Sequence, residues 1–160
     1  MKSITRQDIG LAIIRMVVGA TFIAHGSQKL FMFGIPGVAG MMSHLGVPFP
    51  TLSAVLIIAA ELGGGTFLLL GLLTRLAAIP IAFSMLVAIL QVHLKGGFFL
   101  PTGLEYALVM LAATVGLAIA GGGACALDNL IARRGSERRE NMKSVGLRTA
   151  QGFGGGNLSS

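Results

Sequence analysis

Four stretches of the chain hold almost nothing but apolar and small residues. They lie near 9–30, 51–73, 76–94 and 104–122. Each approaches the ~20 helical residues that cross a ~30 Å hydrocarbon core. Turn signals stand between them: Val47-Pro48-Phe49-Pro50, Thr74-Arg75 and Leu100-Pro101-Thr102-Gly103. Asp8 is placed to cap the first segment, and Thr51 or Ser53 the second. The pattern predicts an all-α fold, an integral membrane four-helix bundle. The second and third connections are short, so neighbouring helices should run antiparallel. The first, near 31–50, is longer and rich in Gly, Pro, Met and Phe; it fits a partly buried or re-entrant segment as well as a plain surface loop. Residues 1–128 read as one transmembrane domain. Residues 129–160 mix charge, Gly and Ser with few apolar residues and read as a disordered basic tail.

Composition supports this division. Of 160 residues, 54% are hydrophobic and 11% charged, where a soluble domain carries about 25% charged. So few charges cannot cover a water-facing surface, which excludes an ordinary soluble enzyme. Many of the 24 glycines sit within apolar runs, where they let helix backbones approach closely. The net charge of +6 raises nucleic-acid binding, but the cations gather in the tail at Arg133, Arg134, Arg138, Arg139, Lys143 and Arg148. Beside a membrane domain such a cluster reads as a topology signal or an anionic-lipid contact, and no nucleic-acid partner is expected. With both termini cytoplasmic, the inner side holds Lys2, Arg6, Arg75 and those six, nine in all. The outer side holds only Lys29 and Lys95. That asymmetry sets the expected orientation. A cleaved signal peptide fits poorly, because Arg15 interrupts the apolar run and no A-x-A site follows. The single cysteine, Cys125, allows no intrachain disulfide and reads as a small apolar residue at a helix end.

The candidate chemistry lies in the few polar residues of the spans, since ionisable groups there usually face a partner or a cavity. Counting ~1.5 Å per residue from the expected helix ends puts Arg15 and Glu61 within about 5 Å of one depth. A buried Arg15–Glu61 ion pair or proton relay is therefore expected. His25 and Lys29 share a face of the first helix at i and i+4. Gln91 and His93 end the third helix, and Glu105 and Tyr106 begin the fourth, so these six should meet at similar height as ligand-lining residues. Each also has a purely structural explanation: fixing helix register, snorkelling to headgroups, or hydrogen bonding between helices. His25, His93 and Glu105 have zinc-ligand chemistry but no diagnostic spacing, so no metal site is expected. Two histidines without C-x-x-C-H make no haem motif. No nucleophile–base pair or phosphate-binding glycine motif is visible.

These residues carry a family resemblance. Arg15 with Gly19, the run Phe22 to Lys29 (F-I-A-H-G-S-Q-K) and Phe33-Gly34 resemble the first helix of the DoxX family of small bacterial membrane proteins. Glu61-Leu62-Gly63-Gly64 through Gly71-Leu72-Leu73-Thr74-Arg75 resembles its second. His93, Gly97-Phe98, Glu105-Tyr106-Ala107 and the close from Gly121 to Asp128 resemble the remainder. The resemblance covers about residues 9–130. It implies a multi-pass protein of the bacterial inner membrane, related to the DoxD-type subunit of thiosulfate:quinone oxidoreductase. It further implies redox-associated work with a quinone or similar apolar ligand, in company with a soluble or membrane redox partner. A non-enzymatic scaffold for a soluble partner, and a small transporter working as a homo-oligomer, stand as alternatives.

Overall fold

The structure is a computed structural model that describes residues 4–101, 103–129 and 142. The expected basic tail falls outside these residues, Asn129 and Met142 aside. Among the described residues the fold is all-α, with no strand.

The chain opens on α1 (Arg6–Ser27). Thr5 and Asp8 form a reciprocal capping box there: the Thr5 hydroxyl accepts from the Asp8 N–H, and the Asp8 carboxylate accepts from the Thr5 N–H at 2.9 Å. A π-helical turn, Gln28–Phe33, continues α1. At Gly34, φ +67° breaks the helical path, and α2 (Gly34–His44) sets off from that bend. The long first connection is thus largely helical. Its Val38 and Met42 are buried with Ala54 and Ile58 of α3 (Pro50–Ala59), so it is a partly buried helical segment and not a plain surface loop. A π-helical turn, Ala60–Gly64, joins α3 to α4 (Gly65–Leu70). Next comes a tight turn in which Gly71 (φ +73°) and Leu73 (φ +45°) are both left-handed. α5 (Thr74–Ala88) runs into a third π-helical turn, Ile89–His93, and one 3-10 turn, Leu94–Gly96. α6 (Glu105–Ala120) closes the bundle.

Three helical rods are long and apolar enough to cross a membrane: Arg6–His44, Pro50–Leu70 and Thr74–Gly96. Only about a third of each apolar stretch is buried within the protein. The remaining surface carries side chains such as Val17, Leu76 and Phe83, each more than 60% exposed, which requires an apolar solvent. α6 is equally apolar but has 16 residues, about 24 Å at 1.5 Å per residue.

The core forms where α1, α4, α5 and α6 meet, around Val18, Phe22, Leu68, Ala77, Ala78, Ile81, Met110 and Leu117. Glycine sets the α1–α4 spacing. A Cβ on Gly19 would lie 2.7 Å from the Gly65 carbonyl oxygen and the Leu69 nitrogen, and one on Gly65 would lie 2.9 Å from the Gly19 carbonyl oxygen. Backbones this close maximise dispersion contacts, which hold helices together where lipid removes the hydrophobic drive.

Candidate functional site

Glu61 is fully buried in the π-helical turn between α3 and α4. Lys29 lies in the π-helical turn after α1. Its Nζ donates to both Glu61 carboxylate oxygens at 2.6 Å. The lysine side chain is 18% exposed and the glutamate 1%. Gly26 makes this approach possible: it packs on Leu62 and on the Glu61 Cβ, with no room for a side chain of its own.

The pair lies on the wall of a cavity of about 250 Å3. His25, Gln91, His93 and Tyr106 share that wall, and Phe22, Met42, Met85 and Met110 are among its apolar lining. The Tyr106 hydroxyl and His25 Nε2 are 3.4 Å apart, their rings tilted at 44° with centroids separated by 6.1 Å. Methionine suits such a lining, because its unbranched, polarisable side chain adapts to varied shapes.

All three π-helical turns contribute to this cavity. They carry Lys29, Glu61, and Gln91 with His93. A π-turn inserts one residue into a helix and re-aims the side chains around it, which is why such turns recur at functional sites. Nothing in the apolar pattern marks them, since the spans around them remain helical and hydrophobic.

Two sequence expectations differ from this geometry. Glu61 meets Lys29, not Arg15. The Arg15 guanidinium packs instead against Gly71, ten residues further along the second rod, about 15 Å at helical rise. Depth counted from guessed helix ends missed the antiparallel register, in which Gly19 faces Gly65 and Leu69 while Gly26 faces Leu62. That register carries Arg15 toward the turn after α4. Glu105 also lies off the cavity wall: its Oε1 accepts the Leu100 N–H at 2.9 Å and ties down the turn before α6. Among the described residues no His, Cys, Asp and Glu cluster could hold a metal ion.

The family model for DoxX matches residues 10–94, more than half of the chain. The chain belongs to the DoxX family. Its relatives include the Bacillus subtilis (strain 168) protein "Putative oxidoreductase CatD", 30% identical over 78% of this chain and 88% of its own. A Mycobacterium tuberculosis membrane protein, Rv3486, is 36% identical over 76% of this chain and 80% of its own. The Escherichia coli (strain K12) inner membrane protein YphA is 32% identical over 74% and 87%. No solved structure matches the chain. Family membership and the apolar rods make this DoxX protein a multi-pass protein of the bacterial inner membrane, in contact with the lipid bilayer.

Proposed function

We propose that this DoxX protein is a redox-associated membrane subunit that binds a quinone, or a similar apolar ring, in the cavity beside Lys29 and Glu61. The observation that carries this reading is a buried ion pair on the wall of an otherwise mainly apolar cavity. An ion pair in such a place costs desolvation that a purely structural core avoids more cheaply with apolar residues. A cavity of about 250 Å3 is close to the lower bound of ~300 Å3 for ligand pockets. It suits one ring headgroup with its tail left in lipid.

The residues have complementary tasks in this reading. The apolar lining takes the ring faces. Lys29 is an N–H donor for a ring oxygen, and it neutralises negative charge that develops there on reduction. Glu61 holds Lys29 in place and would relay toward the ring the protons that reduction takes up, receiving them from the His25 and Tyr106 side. His25 and Tyr106, next to each other and half open to the surface, pass protons between the cavity and the exterior; imidazole suits this because its unperturbed pKa is near 6.5. Electrons would come from a soluble or membrane partner; the name of the Bacillus subtilis relative calls that protein an oxidoreductase and supports a redox setting. The reading includes α6 as a fourth span, with N- and C-termini cytoplasmic and the tail cations on the inner side.

Solvent extraction of protein purified in mild detergent tests it. Quinone should be enriched over an unrelated four-helix membrane protein, and reduced in Glu61→Gln. Quinone at the control level in both forms would remove the redox reading.

A further inference from the structure

Arg15 takes no part in the cavity. It is 4% exposed, and its Nε and Nη1 are sealed from solvent without a hydrogen-bond partner. Nη2 makes no hydrogen bond either, but it is not among the sealed atoms and so retains contact with the surface. A second orphan lies nearby, the buried Oγ1 of Thr74. The two converge on Ala126. A Cβ on Gly71 would overlap the Arg15 guanidinium and lie 2.9 Å from the Ala126 Cα. One on Gly122 would lie 2.6 Å from both Thr74 Oγ1 and the Ala126 Cβ.

The segment from Gly121 to Asn129 covers both groups. Two hydrogen bonds hold it down: the Ala124 N–H donates to Asp8 Oδ1 at 2.6 Å, and the Asp128 N–H donates to the Gly71 carbonyl at 3.2 Å. Arg75 borders the same segment, its Nη2 3.4 Å from the Ala120 carbonyl oxygen. Cys125 and Asp128 are near enough to act on the Arg15 charge, yet neither forms an ion pair or hydrogen bond with it. A buried cation without a direct hydrogen-bonded partner is costly to keep, and a guanidinium is a fork of donors matched to an oxyanion.

We propose that Arg15 and Thr74 form an oxyanion site at this end of the bundle, taking a phosphate group that meets Nη2 at the edge of the Gly121–Asn129 segment and lifts that segment to reach Thr74 Oγ1. The phosphate belongs to an anionic phospholipid headgroup or to free phosphate; basic pockets between spans are known to take such headgroups. Arg75 adds a second positive charge. The Asp128 carboxylate is the internal competitor for Arg15.

The test is thermal unfolding of the full chain. One arm compares inorganic phosphate with chloride at equal ionic strength in detergent. The other compares phosphatidylcholine nanodiscs with and without phosphatidylglycerol. Wild type should gain in midpoint in at least one arm; a gain with phosphate identifies the free anion, and a gain with phosphatidylglycerol alone identifies the headgroup. Arg15→Gln should raise the half-saturating concentration at least ~10-fold, the loss expected for a hydrogen bond to a charged group. Arg15→Lys should retain part of the gain. Asp128→Asn should bind more tightly, and it remains informative together with Thr74→Val if Arg15→Gln does not fold. No gain in either arm overturns the proposal. So does a gain that persists in Arg15→Gln, which belongs to other cations of the chain, or one that Asp128→Asn leaves unchanged or weakens, since removing a competing carboxylate must tighten binding at Arg15.

Discussion

The Lys29 ammonium sits 2.6 Å from both oxygens of the Glu61 carboxylate, each residue held in a π-helical turn of a different rod. The two ends of this bond are unequal, because the lysine side chain is partly exposed and the glutamate is not. Single substitutions should therefore be unequal too. Lys29→Met leaves a carboxylate buried without compensation and should cost about 3–5 kcal/mol. Glu61→Gln leaves a lysine that can turn toward the surface and should cost less. The double variant should recover much of the Lys29→Met loss. Unfolding in detergent, arranged as a double-mutant cycle, measures all three; equal single losses would contradict the asymmetry.

The glycines divide by what they face. Gly19→Val places a side chain into the backbone of α4 and should destabilise by about 1–3 kcal/mol, the usual range for overpacking. Gly10→Ala and Gly63→Ala meet nothing within 4 Å and should leave the unfolding midpoint unchanged or slightly raised. Midpoints for the three variants, measured side by side, check this. A neutral Gly19→Val would mean that α1 and α4 do not approach as described.

Gly71 combines two constraints. Its φ of +73° disfavours any residue with a Cβ, and that Cβ would overlap the Arg15 guanidinium. Gly71→Ala should cost at least the ~1–2 kcal/mol of a left-handed non-glycine residue. Arg15→Ala in the same background should relieve the overlap part. A non-additive cycle is expected, and strict additivity would separate the two residues.

Asp8 serves both ends of the domain, since it closes the capping box with Thr5 and accepts from the Ala124 N–H. Asp8→Ala should therefore destabilise more than Thr5→Ala, whose loss is about 1 kcal/mol for a cap. It should also speed hydrogen exchange at Ala124. Equal losses, with no change at Ala124, would deny the second contact.

The helical rods were legible because the apolar pattern and the shortage of charge depend only on local sequence. Family membership was legible from Arg15, the F-I-A-H-G-S-Q-K run and the Gly71–Arg75 turn. The grouping of His25, Lys29, Gln91, His93 and Tyr106 followed from helix direction, and the structure places all five on one cavity wall. The partner of Glu61 was not legible. Lys29, read as an interfacial residue, is brought in by the π-helical turn at Gln28–Phe33 and by Gly26 packing on Leu62. Neither leaves a trace in hydrophobic periodicity. Helix α2 was hidden for a related reason: Gly34, Pro36, Gly37 and Gly40 read as loop residues, yet Val38 and Met42 find enough apolar contact on α3 to override that preference.

The chain offers its own probe of the central claim, because Tyr106 is the only tyrosine, there is no tryptophan, and Tyr106 lines the cavity. Tyrosine emission should be followed while a short-tailed quinone is titrated into wild type, Glu61→Gln, Lys29→Met and free tyrosine amide, which corrects for absorption by the quinone. Saturable quenching in wild type, weakened at least ~10-fold in affinity by Lys29→Met, is the result this account predicts. Quenching that never saturates, or that matches tyrosine amide in every form, would contradict a quinone site in this cavity.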